Sequence, residues 1–323
     1  MNRLHELWAT RSSMAKPTLF VTNDDGVDAP GIQQLIRGLN IQGFPVVVLA
    51  PSTEQSATGM RISVRKKLKV SKRQDIVDNL QSNYQVPLKI YSLDGSPCDC
   101  VIAALDGGLA ILEPDLHPSM CISGVNQGPN LSIDIMHSGT VSAARESALY
   151  GMPSIAISLA TYEHSDFTDS VKGAIKVIDS CLDFLPINPP DLLRPNGSNS
   201  LPKISTSAES IREHFSHGNI FLNLNAPLKW NQEFNTVSLG ARWYRNAIKT
   251  HEIDDGGMAF EVGAAMITEE EIPMTDCSSV NAGEYAISPL SSWPVNHPLG
   301  IPKSILLTAS ESDDLGLPFW FNL

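Results

Sequence analysis

The pattern that most constrains this chain is a series of short, continuously apolar segments alternating with helical periodicity. TLFVTN from Thr18 reads as a strand, GIQQLIRGL as an amphipathic helix and PVVVLAP as a second strand. The alternation continues through LKIYSL, PCDCVIAAL, SMCIS, TVSAARESALYG, PSIAISLA and VKGAIKVIDSCLDFL, with Pro97 suited to a first helical turn. Strands without polar alternation are buried on both faces. The sequence therefore predicts an α/β fold, a mostly parallel sheet flanked by helices and joined by right-handed crossovers.

The rest of the chain is less regular. Residues 1–15 are expected to be a disordered leader, weighed against a weak organelle-targeting segment, and residues 16–185 the catalytic core. Residues 186–217, rich in Pro, Asn and Ser, are expected to form an exposed insertion. Residues 218–323 should hold the remaining core strands, beginning with NIFLNLN, and an oligomerisation arm: TVSLGARWYRNAI, MAFEVGAAM and EYAISPL suggest a C-terminal β-hairpin extension projecting from the main domain.

Composition narrows the function. A formal charge of −12 argues against a general basic surface for nucleic acid, so no stable nucleic-acid partner is expected. No apolar run is long enough to span a bilayer, so no membrane partner is expected either. Five cysteines without C-x-x-C spacing fit reduced thiols and a cytoplasmic location. Cys98 and Cys100 are expected to be buried small hydrophobes. His214 and His217 are expected at the surface, and His137 in a packed loop or against substrate.

Four loops should emerge on one rim. The first carries Asn23, Asp24, Asp25 and Gly26 at the carboxyl end of the first strand. Neighbouring side chains on a strand point to opposite faces, so the two carboxylates converge only if the chain leaves extended geometry, which Gly26 permits. Two carboxylates about 4 Å apart repel by roughly 4 kcal/mol at an effective dielectric near 20, so an ionised pair needs a cation. An ordinary Asp-Asp-Gly turn is the competing account; the position, where open parallel sheets bind ligands, favours the site. The second loop offers the Ser56 hydroxyl. The third offers the Asn126 and Asn130 amides. The fourth, Ser138-Gly139-Thr140, opens a helix whose N–H groups suit an anion, with N-capping by Thr140 a compatible alternative. Carboxylates, neutral oxygens and an anion cradle are what phosphoryl transfer to water requires. No P-loop, G-x-S-x-G or G-x-G-x-x-G motif is present.

TNDDGVDAPGI, APSTEQSATG, DGSPCDCV, SGVNQGPNLSIDIMHSGT and TDCSSVNAGEYAISPL, in that order, resemble the motifs of the SurE survival-protein nucleotidases, from about Lys16 to Leu290. The resemblance implies a SurE-like fold with a Rossmann-like sheet and an arm exchanged in a homodimer or homotetramer. It implies hydrolysis of nucleoside 5′- or 3′-monophosphates, with polyphosphate a further substrate, dependent on one divalent metal per subunit, Mg²⁺ or Mn²⁺. By resemblance the metal ligands fall on Asp24, Asp25, Ser56 and Asn126, with Asp24 and Asp25 catalytic. Phosphate contacts fall on Asn130, Ser138, Gly139 and Thr140, and Asn23 and Gly26 support the first loop. Ser132, Ser142, Ser147 and Ser96 depart from the family's usual residues beside these positions. The alternative is an inactive nucleotide-binding or regulatory protein; retention of Asp24, Asp25, Ser56 and Asn126 argues against it.

Overall fold

The structure, a computed structural model, describes residues 16–80, 86–163, 166–187, 189, 192, 204–254, 256–263 and 265–322; the leader at 1–15 and much of the expected insertion lie outside them. The main sheet contains β1 (Thr18–Thr22), β2 (Val46–Pro51), β3 (Val70–Lys72), β4 (Leu88–Leu93), β5 (Pro118–Gln127), β6 (Ser154–Leu159), β7 (Ile220–Ala226), β8 (Phe234–Thr236) and, later in the chain, Tyr285–Ser291. Between the last two run four outlying strands, β9 (Arg242–Arg245), β10 (Ile248–Glu252), β11 (Met258–Val262) and β12 (Met266–Glu269), so Tyr285–Ser291 is β13.

The sheet order is β3-β4-β2-β1-β5-β6-β7-β13-β8. The six strands from β4 to β7 pair in parallel, as the apolar pattern predicts. Alternate residues of β1 serve opposite faces: Leu19 and Val21 join one core cluster and Phe20 another, and all three are fully buried. Helices Pro30–Ile41 and Thr168–Cys181 cover the first face; Pro97–Ala103 and Gly139–Leu149 contribute to the packing of the second. All five cysteines are free and buried. No helix of the described residues is long and apolar enough to cross a membrane.

From β1 the chain steps to β2 on one side and returns to β5 on the other. The switch point of the parallel sheet thus lies between β1 and β5, the position at which open parallel sheets form a ligand crevice beyond their strand ends.

Three expectations are corrected. EYAISPL is not hairpin arm: it is β13, inserted antiparallel beside β7 and parallel beside β8, because both its faces are apolar enough to be buried in the sheet. The end of the expected insertion is not exposed. It forms the helix Ala208–Ser216, capped by Ser207, with Ile211 and Phe215 fully buried; Phe215 and Phe184 pack on Trp320 from the C-terminal segment. His214 lies on the inner side of that helix and is buried, not at the surface; desolvation lowers its pKa.

The outlying strands form two separate antiparallel ribbons, β9–β12 and β10–β11. Their base is tied to the main body by buried polar contacts. The Arg242 guanidinium meets Asp134 at 2.7 Å, and Asp276 accepts from the Ser132 and Gly240 N–H groups at 2.8 and 2.6 Å.

Candidate active site

β1 ends at Thr22, and the chain turns immediately. Gly26, at φ +94°, completes the turn, and a side chain there would press on the Thr53 backbone. Asn23 braces it, its amide Nδ2 donating to the Gly26 carbonyl at 2.9 Å. This departure from extended geometry turns both carboxylates into the crevice. Asp24 accepts a short hydrogen bond from the Thr140 hydroxyl, and Asp25 accepts from the Gln127 N–H at 3.0 Å. A strand-one turn is thereby bonded to the end of β5 and to the start of the helix Gly139–Leu149.

Gly139 is fixed by close approach: a Cβ there would fall 2.7 Å from the Asp24 Cβ. The helix N-terminus therefore abuts the carboxylate, and the Gly139 and Thr140 N–H groups stabilise its charged form. The cap is Ser138, whose hydroxyl accepts from the Val141 N–H at 3.0 Å; capping by Thr140 is thus corrected, since that hydroxyl is spent on Asp24.

Even with these donors, burial raises the pKa of Asp24. Asp25 is pushed up to about 7, first by burial and then by the charge of Asp24, against the opposing Gln127 N–H. The protein holds two carboxylates where their charge is disfavoured, and nearby cationic side chains do not correct it: Asp24 and Asp25 form no ion pair among the described residues.

Asn126 joins them. After a register shift between Ser123 and Asn126, β5 carries its amide to the crevice; Nδ2 donates to the Gly128 carbonyl at 2.9 Å, which leaves Oδ1 facing the site, 3.4 Å from the Thr140 hydroxyl. Ser56 is less engaged. It is exposed and its hydroxyl donates to Glu54 at 2.8 Å, but its loop is stapled in place by the Gln55 N–H, which donates to the Asp24 carbonyl at 2.7 Å. Asn130 is buried behind the rim: its Nδ2 donates to Ser158 at 2.7 Å and its carbonyl accepts from Asn223 and Asn225.

The donor set suits a hard divalent cation. Two carboxylates and an oriented amide oxygen converge, with a hydroxyl on the adjoining loop. Three further buried oxygens at the same strand ends, Thr22 Oγ1, Asn23 Oδ1 and Ser123 Oγ, have no hydrogen-bond partner. No group of three or more His, Cys, Asp or Glu gathers among the described residues, so a cation here must draw on neutral oxygens as well.

The family model described as Survival protein SurE matches residues 19–249. The chain belongs to the SurE family. It is 32% identical over 301 residues to a 5′-nucleotidase SurE of Caldanaerobacter subterraneus subsp. tengcongensis, covering 88% of this chain and all of that one. A 5′-nucleotidase SurE of Synechococcus sp. (strain JA-3-3Ab) is 30% identical over 276 residues, covering 84% of this chain and 90% of its own length. Among solved structures, the SurE protein from Aquifex aeolicus superposes with a TM-score of 0.61 at 26% identity, covering 87% of this chain and 95% of that one. The expected SurE-like fold, with its mostly parallel sheet and outlying antiparallel strands, is therefore correct.

Reasoning from the sequence does not reach several rim contacts of this SurE chain. The Gln127 N–H on Asp25 and the Thr140 hydroxyl on Asp24 join positions more than a hundred residues apart, and no local pattern announces them. Tyr162, just past β6, was also missed; its ring packs over Gly128 while 62% exposed. An aromatic residue directly after a buried strand was the available signal.

Proposed function

We propose that this chain hydrolyses nucleoside 5′- or 3′-monophosphates to nucleoside and phosphate with the help of one divalent cation, Mg²⁺ or Mn²⁺, per subunit. The observation that carries this is the Asp24–Asp25 pair at the switch point, Asp24 buried against a helix N-terminus and Asp25 half-buried beside it, with no cationic side chain paired to either among the described residues. Asp24, Asp25, Asn126 and Ser56 would hold the cation. When bound it would neutralise phosphate oxygens and the two carboxylates together.

The side chains divide the remaining work. Thr140 fixes Asp24, so Asp24 serves as an anchored ligand. Asp25 Oδ2 is occupied by the Gln127 N–H, which leaves Oδ1 to take the proton of the attacking water. Ser138, Gly139 and Thr140 present the helix terminus to the phosphate, with Asn130 setting the loop that leads to it. Polyphosphate hydrolysis would use the same centre. The exposed ribbons would carry self-association as a homodimer or homotetramer.

The names of the relatives support this reading, and phosphate release tests it. AMP and GMP should be hydrolysed with added Mn²⁺ or Mg²⁺, and EDTA should abolish release. Nucleotide binding without release under any divalent cation would favour the inactive regulatory alternative.

A further inference from the structure

The formal charge of −12 conceals one strongly basic segment. Seven of the chain's 23 lysines and arginines fall within residues 61–73, where no acidic residue occurs. Arg73 is consumed by Asp28 and Asp75. Arg65, Lys66, Lys67, Lys69 and Lys72 make no ion pair among the described residues.

The segment is held firmly beside the site. Ser63 N–H donates to Asp99 at 2.7 Å, the Ser96 hydroxyl donates to the Arg61 carbonyl, and the Asp94 N–H donates to the Lys69 carbonyl at 3.0 Å. Arg61, Lys66 and Lys67, with Ser63 and Gln55, line an open cavity of about 230 Å³; Asp94 is its one acidic wall. Gln55 is also the residue whose N–H donates to the Asp24 carbonyl, so one residue of the cavity lining is bonded directly to the turn that carries the Asp pair.

We infer that this cavity is a second anion subsite, which takes a further phosphate of a substrate whose first phosphate reacts at Asp24 and Asp25. The substrate class follows from the chemistry. A single phosphomonoester leaves the basic wall unused, whereas a molecule with phosphates spaced along it spans both sites, as an inorganic phosphate chain or a nucleoside 3′,5′-bisphosphate would. The Lys66 and Lys67 ammonium groups, in no ion pair among the described residues, lose little on binding such a group, and in a chain of net negative charge they supply the local field that draws it in. The subsite depends on the nucleotidase reading for its substrate but not for its ability to bind an anion.

The test compares wild type with the double variant Lys66→Ser, Lys67→Ser on three substrates: AMP, adenosine 3′,5′-bisphosphate and tripolyphosphate. kcat/KM should fall by roughly tenfold or more, through KM, on one or both of the multiply phosphorylated substrates and stay within about twofold on AMP. The substrate affected identifies the source of the distal phosphate. An equal fall on all three, or no fall on any, overturns the subsite. If wild type releases no phosphate from any of them, the nucleotidase reading fails by itself. Calorimetric titration with tripolyphosphate in EDTA then decides the subsite, with weaker binding by the double variant supporting it and equal binding overturning it.

Discussion

At the carboxyl rim of the sheet this protein buries charge; in the β10–β11 ribbon it exposes apolar side chains. Asp24 is 3% exposed, with its pKa raised by burial. Met258, Phe260 and Val262 lie on one face of β11 and are 63%, 61% and 76% exposed. Each arrangement is unfavourable for an isolated chain, and the two call for opposite kinds of compensation. Buried like charges are relieved by a cation. An exposed apolar face on a two-stranded ribbon, which is marginal alone in water, is relieved by another protein surface.

The largest expected effect tests the rim. Asp24→Asn should reduce phosphate release by at least roughly 10²–10³-fold, the scale seen when a preorganised electrostatic group is removed. It should leave the metal-free fold as stable as wild type, because the lost charge was disfavoured by burial. Undiminished turnover, or an unfolded variant, would break the contrast between a rim whose buried charge awaits a cation and a ribbon whose apolar face awaits a protein surface.

The second effect is thermodynamic. A cation that binds only the folded protein should stabilise it by about 2.7 kcal/mol at a hundredfold excess over its dissociation constant. Thermal melts in Mn²⁺ and in EDTA should show that shift in wild type and lose it in Asp24→Asn. A shift retained in the variant would place the cation elsewhere.

How much of this was legible beforehand follows from which contacts are local. β1, its turn and the helix after it form a contiguous unit, so the apolar run followed by Asn-Asp-Asp-Gly makes both the strand and the rim position of its turn legible. The strand-then-loop pattern likewise makes legible that Asn126 and the Ser138 to Thr140 turn lie on the same rim. β13 was misjudged because its place between β7 and β8 depends on pairing with Ile220–Ala226, about sixty residues earlier, and a strand bearing a proline does not advertise a position inside a sheet. The helix carrying His214 was hidden by the Pro- and Ser-rich composition before it. Its burial rests on Phe184 and Trp320, which only the folded chain brings together.

Asp99 is a control carboxylate for the rim. Burial alone would raise its pKa, but the Ser63 and Ser96 N–H groups outweigh this and hold it below the usual carboxylate range. A depressed folded-state pKa stabilises above the unfolded value, near 4, and the gain is lost as pH falls through the folded one. Asp99→Asn should therefore cost about 1 kcal/mol at neutral pH, as loss of a helix cap does. The gap to wild type should close as pH falls below about 4, in denaturant titrations. A gap independent of pH would mean that shape, not charge, anchors the basic segment.

The smallest expected change in folding stability belongs to the ribbon. Phe260 faces outward from β11 opposite Thr250, and its neighbours on that face, Met258 and Val262, are exposed as well. Phe260→Ser removes no core contact, so stability at low protein concentration should move by less than about 0.5 kcal/mol. If the ribbon face meets a second copy of the chain, the same substitution removes an apolar anchor from that contact. Sedimentation velocity should then show a shift towards monomer with turnover of AMP per chain retained. A variant that sediments as wild type would remove the apolar face from self-association, and one that melts several degrees lower would show that the ribbon supports the fold itself.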